Sequence, residues 1–147
     1  MITCSKLYTD IPFAHRQPNH KGHCRFIHGH NWSFEITFAC DKLDPCGFVV
    51  DFGDLKFIKN WFSDVLDHSL LLNKDDPLLA STTTHLQQYG ICNVVPVFDC
   101  SCEGIAEFVA SEVNELLCIH DENMGRKVRC IKCTVFEDSK NSATFLV

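Results

Sequence analysis

Hydrophobic and polar positions alternate most regularly over residues 32–40, where Trp32, Phe34, Ile36, Phe38 and Cys40 interleave with Ser33, Glu35, Thr37 and Ala39. A strict period of two predicts a half-buried strand. Upstream, Leu7, Thr9, Ile11, Phe13 and His15 share one parity of a less regular strand, with Pro12 on the other. Proline within such a run predicts an edge position or a bulge. Residues 16–27 carry Pro18, Asn19 and Gly22 and read as an irregular loop. From Asp51 the period lengthens. Leu55, Ile58, Phe62, Val65 and Leu66 fall at helical spacing, with Asp51 as N-cap and Asp54 at the third position. A second helix is predicted over 101–117, capped by Ser101, with Ile105, Val109, Val113, Leu116 and Leu117 as its apolar stripe. Ile131, Cys133 and Val135 then alternate as a strand, residues 138–142 turn, and 143–147 return as a hairpin. Residues 74–99 are the least regular part, loop-like at Pro77, Thr82 to Thr84 and Gly90, with a short strand over 94–98. The order strand, strand, helix, helix, strand, strand predicts an α+β fold, an antiparallel sheet with two helices on one face. Neither repeat nor linker interrupts residues 1–147, so one domain is expected.

Composition narrows the function classes. The 147 residues suffice for one sizeable core, and 46% hydrophobic with 22% charged residues excludes a disordered chain. No apolar run approaches the roughly 20 residues that span a bilayer, and the N-terminal stretch lacks a signal-peptide hydrophobic region. A cytoplasmic protein is expected. A net charge of −6 argues against nucleic acid or an anionic membrane as the main partner, leaving small molecules and other subunits. The 10 cysteines fall below disulfide-scaffold density and are expected reduced, mostly as small core fillers. Cys130 and Cys133 form a C-x-x-C without a second pair at zinc-ribbon spacing. Three apart on a strand, they are expected on opposite faces, in a structural role.

Histidine carries the sharpest chemistry. His28 and His30, two apart at a strand start, point to one face with Cα atoms roughly 6.5–7 Å apart. His15 has the inward parity of Ile11 and Phe13 and can face the same way. Three imidazoles from neighbouring strands make the catalytic type of zinc centre, which keeps a fourth position open. The competing reading is three satisfied core histidines. Cys24 sits in a polar loop four residues before His28, where a nearby cation would activate the thiol; otherwise it is inert. In Asp67-His68 the carboxylate can orient an imidazole for proton transfer, against the plainer reading of a histidine at a helix end. Glu137 shares the parity of Ile131, Cys133 and Val135, where a carboxylate is costly unless paired or met by a ligand. Glu103, in a first helical turn, has a sufficient explanation in the helix dipole.

Taken together, F-A-H (13–15), C-x-x-x-H-G-H (24–30), G-F-V-V-D-F (47–52), L-D-H (66–68) and V-F-E (135–137) stand in the order of one family. Over residues 9–137 the chain resembles the 6-pyruvoyl-tetrahydropterin synthase / 6-carboxytetrahydropterin synthase family. The resemblance implies zinc on His15, His28 and His30, Cys24 as catalytic thiol, Asp67 and His68 as proton relay, and Glu137 gripping the pterin ring. It implies the tunnelling fold, a four-stranded antiparallel sheet with two helices, assembled into an oligomeric barrel. A homo-oligomer is expected, a hexamer of two trimers with active sites between subunits. The implied substrate is 7,8-dihydroneopterin triphosphate. The expected reaction is that of a 6-carboxytetrahydropterin synthase, releasing acetaldehyde and triphosphate in queuosine (7-deazaguanine) biosynthesis. The alternatives are 6-pyruvoyl-tetrahydropterin synthase, which eliminates triphosphate toward biopterin, and a non-catalytic zinc- or pterin-binding module. Three departures stand out. Cys100-Ser101-Cys102-Glu103 replaces the usual P-T-x-E, leaving Ser101 and Glu103 as substrate contacts; residues 74–99 are longer than in compact bacterial members; and Asp138 stands where the family often has Thr. Lys21, Arg25 and Arg16 are the candidate triphosphate contacts.

Overall fold

The structure is a computed structural model that describes residues 1–121 and 125–147. Among the described residues six strands, β1 (Thr3–His15), β2 (His28–Ala39), β3 (Ser69–Asn73), β4 (Asn93–Val97), β5 (Arg129–Phe136) and β6 (Ser142–Leu146), form one sheet in the order β4-β3-β1-β2-β5-β6. The predicted four-stranded antiparallel sheet is present as β1, β2, β5 and β6. It is not the whole sheet. β3 joins β1 in parallel at Ala14 and Leu70, and β4 joins β3 in parallel along its length, so the sheet is six-stranded and mixed. All five residues of β3 are buried. A strand covered on both faces has no polar alternation to read, and so its period is invisible in the sequence. β4 is an edge strand, which tolerates Pro96.

Helix α1 (Lys56–Trp61) is entered through a 3-10 turn (Phe52–Leu55) and left through a π turn (Phe62–Leu66). The Asp51 side chain accepts from the Gly53 N–H at 2.8 Å, the predicted cap. Helix α2 (Leu79–Thr82) is a single turn running into a π turn (Thr83–Gln87). Helix α3 (Cys102–Asp121) begins at Ser101, whose Oγ accepts from the Gly104 N–H at 3.0 Å. Ile58, Leu66, Ile105, Val109 and Val113 from the helices close over Trp32, Phe34, Ile36 and Phe38 of β2, all fully buried. Each such side chain contributes about 1.5–3 kcal/mol by leaving water. Phe13 stacks on Trp32 at 4.6 Å between ring centres, and the Trp32 indole N–H donates to the Phe13 carbonyl at 3.1 Å.

Two bulges redirect the parity. Between Tyr8 and Ile11 the β1–β2 register shifts, with Asp10 at φ 60°. Leu7 therefore faces solvent and Tyr8 the core, while Ile11, Phe13 and His15 keep the predicted inward face. A second shift in β5, at Ile131, places Cys130 and Cys133 both in the core rather than on opposite faces. Burial pushes the Cys130 thiol up to about 11 and that of Cys133 further, consistent with packing rather than reactive cysteines. All ten cysteines are free. No helix among the described residues is long and apolar enough to cross a membrane.

Candidate metal centre

β1 ends on His15 and β2 begins on His28, and the two pair directly across the ladder; His30 lies opposite Phe13. Strand alternation therefore delivers all three imidazoles to the core side of the sheet end. One ring nitrogen from each lies within 4.8 Å of the others. Trp32 meets the rings of His15 and His30 edge-on at 5.0 and 5.2 Å and forms an apolar floor.

The hydrogen bonds around the rings settle which nitrogens face inward. His15 Nδ1 donates to the Cys100 carbonyl and His28 Nδ1 to the Phe26 carbonyl, both at 2.7 Å. A carbonyl only accepts, so each Nδ1 carries the proton and each Nε2 presents a lone pair. Those two Nε2 atoms stand 3.1 Å apart. Zn–N bonds of about 2.0–2.1 Å at tetrahedral angles separate ligand nitrogens by roughly 3.3 Å. Opposed lone pairs at this distance call for a cation between them. A shared proton or a metal ion would supply it; burial holds His15 below the ordinary imidazole range, and His28 and His30 push it the same way, against the pull of the Cys100 carbonyl and Glu137. The donor set thus fits zinc, with carbonyls fixing two of the rings from outside.

Glu137, just beyond β5, brings Oε1 to 3.0 Å from His30 Nε2, with both side chains about a quarter exposed. Its place is set by the β5–β6 turn. The Glu137 N–H donates to the Asn141 carbonyl at 3.1 Å, and the Asp138 carboxylate accepts from the Lys140 and Asn141 N–H groups at 2.7 Å each. Those bonds hold Asp138 below the usual carboxylate range. Asp138 thus closes the turn that presents Glu137.

The other predicted residues are bonded elsewhere or exposed, although His68 and His30 border one shallow depression. Cys24 is exposed in a 3-10 turn (His23–Arg25), its carbonyl accepting from the Gln17 N–H at 2.7 Å. Asp67 is hydrogen-bonded to His68 Nδ1, and the His68 side chain is 83% exposed. The His68 N–H donates to the Pro12 carbonyl at 2.7 Å, beside a shallow depression bordered by Pro12, Ala14, Gly29 and Asn31. Ser101 Oγ donates to Asp99 at 2.8 Å while capping α3, which commits its proton. Glu103 is exposed in the first turn of α3. Arg16 Nε is held 2.9 Å from the buried Asp76. Arg25 bonds the Lys21 carbonyl at 2.9 Å and lies over the Phe26 ring; Lys21 itself is exposed. What the sequence could not show are the Cys100 and Phe26 carbonyls, since main-chain acceptors carry no residue signature.

A sheet with helices on one face, three imidazoles at the β1–β2 end and a carboxylate beside them define an α+β protein with a metal-ready centre. The family model described as 6-pyruvoyl tetrahydropterin synthase matches residues 5–146, and the chain belongs to that family. It is 43% identical over 77 residues to the 6-carboxy-5,6,7,8-tetrahydropterin synthase of Rickettsia typhi, a match covering 52% of this chain and 55% of that one. The match thus spans about half the length of that relative. The Aquifex aeolicus protein of the same name is 25% identical over 134 residues, covering 90% of this chain and 80% of that one. Among solved structures, an uncharacterized protein from Wolinella succinogenes superposes with a TM-score of 0.75 at 21% identity, covering 99% of this chain and 97% of that one. The 6-pyruvoyl tetrahydropterin synthase of Caenorhabditis elegans follows at 0.64 and 18%, covering 99% and 95%. At these identities the structures speak for the fold.

Proposed function

We propose that the chain is a zinc-dependent lyase, a 6-carboxy-5,6,7,8-tetrahydropterin synthase acting on 7,8-dihydroneopterin triphosphate with release of acetaldehyde and triphosphate. Its place would be queuosine biosynthesis in the cytoplasm. The observation that carries the reading is the centre of His15, His28 and His30, with two rings pinned by carbonyls and Glu137 beside the third. The curated relatives favour the carboxy product over the pyruvoyl one.

His15, His28 and His30 would hold the zinc, which would supply Lewis-acid chemistry toward the substrate's side-chain oxygens. Glu137 exchanges His30 for the pterin, accepting paired hydrogen bonds from its 2-amino and ring N–H groups. Cys24, as thiolate, takes and returns protons on the C6 side chain. Asp67 holds His68 by Nδ1, which leaves Nε2 to move further protons. Ser101 and Glu103 would border the ring, Glu103 through its carboxylate. The family resemblance implies a homo-oligomer, a hexamer of two trimers, in which the exposed Cys24 and His68 would complete the relay between subunits. Product analysis on 7,8-dihydroneopterin triphosphate tests the reading. Acetaldehyde with one zinc per chain supports it, a 6-pyruvoyl product selects the sister activity, and no turnover by zinc-loaded protein leaves a binding module.

A further inference from the structure

The carbonyl that orients His15 is itself clamped. Cys100 is fully buried, and its N–H donates at 2.8 Å to Oδ1 of Asn73, the last residue of β3, itself only 8% exposed. Its carbonyl accepts from His15 Nδ1 at 2.7 Å. On the solvent side, the Ser101 N–H of the same peptide plane donates to Asp99 at 2.8 Å. Residue 100 is thus held at both of its main-chain polar groups, and the amide side chain of Asn73 is the buried anchor. A buried N–H without an acceptor is costly, so the Asn73 side chain is what satisfies the Cys100 amide.

We propose that Asn73 is a positioning residue for the metal centre, fixing the Cys100 main chain and through its carbonyl the ring orientation and Nδ1–H form of His15. The proposal rests on the zinc reading above. Outer partners of metal-bound histidines are worth about 10–100-fold in metal affinity. Asn73→Leu keeps the volume and removes the acceptor; Asn73→Asp keeps the acceptor. Asn114→Ala is the control, because Asn114 clamps a different residue, its side chain bonding the Cys130 N–H and carbonyl at 2.8 and 3.1 Å.

The test is zinc affinity of the full-length protein, measured by competition with a chromophoric chelator, each variant first shown to be folded by circular dichroism. Asn73→Leu is expected to bind zinc about 10-fold more weakly than the parent, the lower end for an outer partner because Asn73 acts through the Cys100 main chain, while Asn73→Asp and Asn114→Ala bind as the parent does. Parent-like affinity in Asn73→Leu overturns the proposal, as does an equal loss in Asn73→Asp or in Asn114→Ala. Should the leucine variant not fold, hydrogen exchange of the Cys100 amide in the parent decides: protection matching the β3 core supports the clamp, and fast exchange overturns it. If the parent takes up no zinc, the zinc reading falls by itself, and amide exchange still judges the clamp.

Discussion

Replacing Arg16 by Met removes a guanidinium that lies 2.9 Å from a carboxylate with no exposed side-chain surface, that of Asp76. The pair joins the end of β1, one residue past His15, to the turn at 73–79, where Asp76 also accepts from the Leu78 N–H at 2.9 Å. Breaking a buried ion pair from one side costs about 3–5 kcal/mol, because the remaining charge stays buried without its partner. Two features place this case at the lower end. Arg16 is 19% exposed, so water can approach, and the Leu78 N–H continues to stabilise the carboxylate. The expected loss is about 3 kcal/mol, or roughly 6–12 °C in Tm for a chain of this size. Urea unfolding of parent, Arg16→Met, Asp76→Asn and the double variant measures it, with unchanged m-values certifying a stability effect. The double variant carries no buried charge and should recover most of the loss. A loss below about 1 kcal/mol in Arg16→Met would place the pair among surface ion pairs and refute the reasoning.

Cys24→Ala should keep its zinc and assembly yet lose about 10²–10⁴-fold in turnover, whereas Cys130→Ala and Cys133→Ala should change stability more than rate. Steady-state kinetics and metal analysis on the three together decide, and parent-like turnover in all would remove the thiol from the mechanism. Glu137→Gln sets a donor against the pterin's own donors and should weaken a non-reactive pterin analogue by about 1.5–3 kcal/mol in calorimetry, with zinc retained. A Cβ on Gly104 would meet the Asp99 Cβ and carbonyl at 2.5 Å, so Gly104→Ala should cost about 1–3 kcal/mol of stability by overpacking despite alanine's better helix propensity. A neutral or stabilising result in thermal unfolding would show that Asp99 can move.

The elements that sequence periodicity found are those with one wet face. β2 alternates over Trp32 to Ile36 because only its inner side chains are buried there, whereas Thr37 and Ala39 of the other parity are also buried at its far end. α1 and α3 show stripes because they too have one wet face. β3 escaped because Ser69 to Asn73 are covered on both sides. The strand expected over 94–98 is present as Asn93–Val97, yet its parallel pairing with β3 could not be read without β3 itself. In β1 and β5 parity failed where a bulge intervened. Leu7 and Cys130 lie beyond the shifts at Tyr8/Ile11 and at Ile131, and a single inserted residue moves every side chain past it to the other face.

The candidate site divides along the same line. His15, His28, His30 and Glu137 were legible because each lies on or next to a regular stretch of its ladder, Ile11 to His15 against Trp32 to His28 and Lys132 to Phe136 against Thr37 to Ser33, where parity translates directly into direction. Cys24 and Asp67-His68 were legible as chemistry but not as geometry. Their positions depend on a 3-10 turn and a helix-to-strand junction that carry no period. At that junction His68 takes φ 58°, a left-handed conformation uncommon outside glycine, and spends its N–H on Pro12. An imidazole held this way, oriented by Asp67 and 83% exposed, adds little to the packing of its own subunit. Backbone strain of this kind persists where surrounding structure insists on it, and costs about 1–3 kcal/mol. That cost is rational if the ring is aimed at something outside the subunit, which is the arrangement that the proposed relay between subunits requires.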